Sequence, residues 1–127
     1  MFRLYLYLMI VTACHASGTF IMPPPPVKKV VLDPELLQMG NQFVVRTSAN
    51  GKFCLSCHGK NKPQEFKRRS LGSIFPQLTQ KVNLCWTDGT RMGEQGFIES
   101  DTRIMQGIRT WLAKEYRLEE QLARGEK

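Results

Sequence analysis

FCLSCHGKNK, residues Phe53 to Lys62, contains a close pair of cysteines followed at once by a histidine. Cys54, Leu55, Ser56, Cys57 and His58 form a C-x-x-C-H pattern, the spacing of c-type haem attachment. Two thiols so spaced can form thioether bonds to the two vinyl groups of one haem, and the adjoining imidazole is then held against the iron as its proximal ligand. Two other chemistries use parts of the pattern. A redox C-x-x-C of the thioredoxin type asks for a βαβ arrangement around it, and no strand alternation flanks the motif. A zinc site asks for about four protein ligands, which His58, Cys54, Cys57 and Cys85 formally supply.

Upstream of the motif, DPELLQMGNQFVV predicts a helix. Asp33 suits the N-cap, Pro34 the first helical position, and Glu35 sits favourably in the first turn. Leu36, Leu37, Gly40, Phe43 and Val44 fall on one apolar face, and SANG, Ser48 to Gly51, stops the run. A second helix is predicted in ESDTRIMQGIRTWLAKEY, with Ser100 as a plausible cap and Ile104, Ile108, Trp111 and Leu112 as its apolar stripe. The charged tail RLEEQLARGEK is expected to fray into solvent or to carry the helix on to a partner. Between the two helices the chain is rich in Gly, Pro, Asn and Lys, and reads as loop, with SLGSIFPQLTQ as a short helix or turn and TDGT, Thr87 to Thr90, as a turn. A chain of 127 residues with so little regular structure in its middle needs something to pack around, and a cofactor supplies it. The fold class expected is all-α.

The chain starts with MFRLYLYLMIVTACHASG. Arg3, an apolar run from Leu4 to Val11 and small residues after it form the three-part pattern of a secretory signal; the run falls well short of the roughly 20 residues of a membrane span. Residues 1–16 are therefore read as a signal peptide, with VTAC as an alternative lipoprotein signal ending before Cys14, which would make Cys14 a lipid anchor. Residues 17–32, with MPPPP at Met22 to Pro26, read as a Pro-rich tether, and residues 33–127 as the domain. Export places the mature chain in the periplasm or an equivalent compartment. It fits covalent haem attachment, and with the capped helix just before the motif it favours haem over zinc.

The net charge of +7 speaks to partners rather than to fold. No nucleic-acid motif is present, and an acidic redox protein is the more natural partner. Lys60, Lys62, Lys67, Arg68 and Arg69, just past the haem motif, read either as a solvated loop or as its landing patch.

The sixth position on the iron has several candidates. The chain has 2 histidines, and the one besides His58 is His15, in the signal region. Met39 and Met105 lie on predicted helices and read as core. Met92, in TDGTRMGEQG, is loop-borne and precedes the last helix. Cys85, in KVNLCWTDGT, is left over when Cys54 and Cys57 hold haem and Cys14 is removed or lipidated; it is expected on a loop in the segment that wraps the haem. A leftover thiol is more often a small buried apolar group. Asp88, Arg91 and Glu94 near Cys85 read as ordinary turn residues, and nothing points to a general acid or base, so catalysis by this chain alone is not expected.

The C-x-x-C-H motif with the two helices around it resembles the small class I cytochromes c. The resemblance covers residues 33–118, with Gly40 allowing close approach of the C-terminal helix and Trp111 at the contact. It implies N- and C-terminal helices crossing around one covalently bound haem. VNLC resembles a segment of the sulfur-oxidation dihaem cytochromes whose cysteine ligates haem. The order of signal, short helix, one C-x-x-C-H, downstream cysteine and terminal helix is similar to that of the heterodimeric monohaem cytochromes of anaerobic ammonium oxidisers. These resemblances imply a single haem c held by Cys54 and Cys57, with His58 as proximal and Cys85 as distal ligand, Met92 being the alternative. They also imply a second similar cytochrome subunit or a homodimer, with Trp86 covering the haem or facing that subunit, and an anammoxosome location. The function implied is a low-potential cytochrome that binds a diatomic gas, NO or CO, at the reduced haem, transfers electrons, or does both; the alternative is an ordinary His/Met electron carrier.

Overall fold

The computed structural model describes residues 22–24 and 29–124. The signal region with Cys14 and His15 lies outside the described residues, as do residues 25–28 of the tether; residues 22–24 and 29–33 carry no regular structure. The remainder is all-α, with α1 (Pro34–Val45), α2 (Cys54–His58), α3 (Arg68–Ile74), a short 3-10 turn (Phe75–Gln77), α4 (Leu78–Trp86), α5 (Arg103–Glu115) and α6 (Glu119–Leu122), and no strand occurs among the described residues. None of these helices is long and apolar enough to cross a membrane.

Helix α1 starts where its sequence says. Asp33 is extended, and its carboxylate accepts hydrogen bonds from the Glu35 N–H at 2.9 Å and the Leu36 N–H at 3.4 Å. Gly40, Phe43 and Val44 are buried and Leu37 packs at the core edge. Helix α5 lies directly against α1. The contact is closest at Gly40, where a Cβ would come within 2.6 Å of Trp111 Cβ and of the Gly107 carbonyl carbon. Gly107 faces back, and a Cβ there would lie 2.9 Å from the Leu36 carbonyl oxygen and 3.0 Å from the Gly40 nitrogen. Two glycines opposite one another let the backbones touch where any side chain would hold them apart.

Several expectations are corrected. The cap of α5 is Thr102, whose hydroxyl accepts from the Met105 N–H at 3.2 Å; a cap must sit immediately before the first helical residue for its oxygen to reach this donor, and Ser100 is too early. Ile104 is exposed, and the first buried apolar residue of α5 is Met105. The tail, as far as Arg124, neither frays nor prolongs α5. Arg117 takes a left-handed φ of 55°, the Leu118 N–H donates to the Ala113 carbonyl at 2.7 Å, and Leu118 is buried. This six-to-one bond closes a Schellman-type helix end, and a hydrogen bond from Arg68 Nε–H to the Arg117 carbonyl, 3.2 Å, ties it to α3. The middle is also more helical than its composition suggests. Leu71, Phe75 and Leu78 are all buried, at i, i+4 and i+7, so α3, the 3-10 turn and α4 present one continuous apolar edge to the core.

Candidate functional site

The C-x-x-C-H residues make up the whole of α2. They open onto a cavity of about 410 Å³ whose walls come from every major element: Phe43 and Val44 of α1, Leu71 and Ile74 of α3, Val82 and Trp86 of α4, Ile108 and Leu112 of α5. That volume is within the range of small-molecule and cofactor sites, about 300–1,000 Å³. Cys54, Cys57, His58, Cys85 and Met92 all line this cavity. The cysteines are free thiols.

His58 is fixed on several sides. Its Nδ1 is 2.6 Å from the Gln64 carbonyl oxygen; a carbonyl only accepts, so Nδ1 carries the proton and donates. The Phe66 ring stacks on the imidazole with centroids 4.2 Å apart and planes 2° apart, and Tyr116 abuts Phe66 edge-on at 5.9 Å. The Phe66 N–H closes the loop by donating to the His58 carbonyl at 3.1 Å. Nε2 is the nitrogen left for the cavity, and Cys85 is what it meets there. The Cys85 sulfur, hydrogen-bonded to the imidazole, holds the His58 pKa above its ordinary value against the opposing effect of burial, with the Gln64 carbonyl adding to the rise. Reciprocally, the imidazole lowers the Cys85 pKa; burial opposes this and Arg91 assists it. Cys54 behaves oppositely: burial pushes its thiol up to about 11.

Cys85 is not on a loop, as expected, but in the last turn of α4, held by helical packing that the polar look of QKVNLC disguised. Asn83, two residues earlier, is buried and fastens this helix to the irregular segment leading into α5: its amide donates to the Thr79 carbonyl at 2.8 Å and the Ile98 carbonyl at 2.9 Å, and accepts from the Ile98 N–H at 2.8 Å. Beyond α4 the predicted turn is present: the Arg91 N–H donates to the Asp88 carbonyl at 2.9 Å, and the Asp88 carboxylate accepts from the Thr90 N–H and hydroxyl at 2.8 and 2.7 Å. The turn brings Met92 back against α4, its N–H donating to the Cys85 carbonyl at 3.3 Å. Met92 is buried on the cavity wall, whereas Met105 is sealed in the core and Met39 is half-buried beside Gly107. Trp86 faces inward, its ring 5.1 Å from Phe43, so it is a wall of the cavity rather than part of an outer face.

Several site residues carried no sequence signal. Gln64 and Phe66 sit inside a basic stretch, and only the fold brings them onto His58. Arg91, read as a turn residue, donates from Nη1 to the Cys85 sulfur at 3.3 Å. The basic residues Lys60, Lys62, Lys67, Arg68 and Arg69 are all exposed, Lys67 being paired with Glu65 at 2.9 Å. Among the described residues, no group of three or more His, Cys, Asp or Glu side chains is arranged to hold a metal ion unaided. Comparison with protein-family models, with curated proteins and with solved structures finds no match to this chain.

Proposed function

We propose that this chain is an exported class I-like monohaem c-type cytochrome with His58 and Cys85 as axial ligands and Cys54 and Cys57 as the points of covalent attachment. The observation that carries the reading is the meeting of His58 and Cys85 in one apolar cavity with both attachment thiols. The donor set fits haem: an imidazole whose Nδ1–H is committed to a carbonyl is the oriented, basic ligand that iron sites use, and Cys85 would supply a sulfur from the same cavity. The zinc alternative gains no support from the geometry, because among the described residues the thiols and imidazole do not gather into a ligand cluster. The Gly40–Gly107 contact supports the class I helix crossing.

Haem, when bound, would supply one-electron chemistry, with His58 and Cys85 as the residues that would hold its iron. The protein's part is to hold His58 rigid, keep water from the apolar walls and present an anionic sulfur. A thiolate favours the ferric state, so the potential falls below that of a Met-ligated site. Cys85 would be the ligand that NO or CO displaces from the reduced haem. The exposed basic residues past His58 serve an acidic redox partner, and a second similar chain completes a dimer. Met92, buried on the same wall, supports the second reading, a His58/Met92 electron carrier.

Near-infrared magnetic circular dichroism of the ferric protein and of Cys85→Met decides between them. A thiolate charge-transfer band lost in the variant is expected, while a thioether band in the wild type would give the site to Met92. Cys85→Ala should bind CO faster when reduced; an unchanged rate would sink the displacement step.

A further inference from the structure

Cys85 has a second polar neighbour besides His58. The Arg91 guanidinium donates to its sulfur through Nη1–H at 3.3 Å and is gripped through Nε by Asp88 Oδ2 at 3.4 Å. The backbone under Arg91 is equally constrained. Lys52 Nζ donates to the Thr90 carbonyl at 2.8 Å, the Asn50 N–H to the Met92 carbonyl at 3.3 Å, and the Ala49 N–H to the Glu94 carboxylate at 2.9 Å. The segment just before the haem motif thus clamps the turn that carries Arg91. A lone surface arginine samples many rotamers; this one is held from its backbone, at Nε and at its tip.

We infer that Arg91 is a positioning residue that competes with the iron for the Cys85 sulfur, raising the reduction potential and easing the displacement of Cys85 by a diatomic ligand. The inference rests on the His58/Cys85 reading. A hydrogen bond to a thiolate withdraws charge from it, so the sulfur donates less to ferric iron and favours that state less. The same bond stays available to the sulfur once it leaves the iron, so the departing anion is not stranded in an apolar cavity without a partner. The Arg91 side chain is 54% exposed, so its charge is partly screened by solvent, and the directed hydrogen bond carries most of the effect.

The test is spectroelectrochemical titration with CO binding to the reduced holoprotein for Arg91→Leu, Arg91→Lys and Asp88→Asn, each alone and with Cys85→Met. Arg91→Leu should lower the reduction equilibrium constant about tenfold, about 59 mV for one electron, and weaken CO binding several-fold. Arg91→Lys should recover part of both. Asp88→Asn keeps the guanidinium but removes the carboxylate that draws on its charge, so the potential should move upward with Cys85 and far less with Cys85→Met. With Cys85→Met, Arg91→Leu should move it far less, since a neutral thioether accepts weakly. An unchanged potential in Arg91→Leu, or an equal fall with Cys85→Met, overturns the role of Arg91. If Arg91→Leu does not load haem, an unchanged Asp88→Asn potential, or an equal rise with Cys85→Met, overturns it instead. A thiolate band with a potential independent of Arg91 removes only this inference, whereas a thioether band in the wild type removes the His58/Cys85 reading and this inference with it.

Discussion

Gly40→Ala and Gly72→Ala are the same substitution on two helices, and their surroundings give them opposite signs. At Gly40 the new methyl would lie 2.6 Å from both the Gly107 carbonyl carbon and Trp111 Cβ. Carbon pairs rest at about 3.5–4.0 Å, so α1 and α5 must part by about 1 Å. Neither obstacle is the free end of a side chain, so no rotamer change relieves the clash. Overpacking costs about 1–3 kcal/mol, and backbone contact puts this case at the upper end; the better helix propensity of alanine returns about 1 kcal/mol. The net loss of about 2 kcal/mol lowers the melting temperature by about 8–16 °C in a domain of this size. At Gly72 a Cβ would touch only Leu118 Cδ2, at an ordinary 3.6 Å. There the propensity gain of about 0.5–1 kcal/mol stands alone, and the melting temperature should rise by a few degrees. Thermal unfolding of both variants followed by far-ultraviolet circular dichroism measures the pair. Phe43 and Val44 on α1 and Ile108 and Leu112 on α5 are cavity walls, so under the proposed haem reading Gly40→Ala should also shift the haem absorption spectrum. A Gly40→Ala melting temperature at or above wild type, or equal losses at the two positions, would refute the argument.

Asn83→Leu removes hydrogen bonds that satisfy both backbone groups of Ile98; at about 1–3 kcal/mol for each buried group left unpaired, urea unfolding should show a loss of about 2–4 kcal/mol, and the Ile98 amide should lose hydrogen-exchange protection. Glu65 is held below the ordinary carboxylate pKa by Lys67 first and by the Asn61 N–H, 3.2 Å away. Its contribution is therefore fully present above the usual glutamate value of about 4.3 and disappears as pH falls through the depressed one, so the advantage of wild type over Glu65→Gln should shrink in acid; an advantage constant to the lowest pH would contradict the pairing. Electron transfer to an acidic redox protein should slow steeply with added salt and lose that dependence when Lys60, Lys62 and Arg69 are replaced by glutamine; a flat salt response in the wild type would count against docking through this patch.

What could be read from the sequence concerns neighbours in the chain. Cys54, Cys57 and His58 are legible as a set because one helical turn keeps them together whatever the rest of the molecule does. The start of α1 is legible for the same reason: Asp33, Pro34 and Glu35 act within a turn. The helix contact that the resemblance implied at Gly40 and Trp111 is present. The all-α class follows from the two apolar stripes. What lay beyond the sequence is what depends on chain closure. The buried edge of Leu71, Phe75 and Leu78 gives a polar-looking segment its helices, because burial outweighs local propensity, and this moves Cys85 from a loop onto α4. Thr102 caps α5 because the chain bends there, and Leu118 turns inward because a core surface awaits it. The meeting of Cys85 with His58 joins groups distant in the chain, while the stack of Phe66 on the imidazole and the bond from Arg91 to the sulfur join nearer groups across irregular loops. Their geometry is set by helix packing and by the clamp of residues 49–52 on the turn after Cys85, and no spacing in the sequence encodes it.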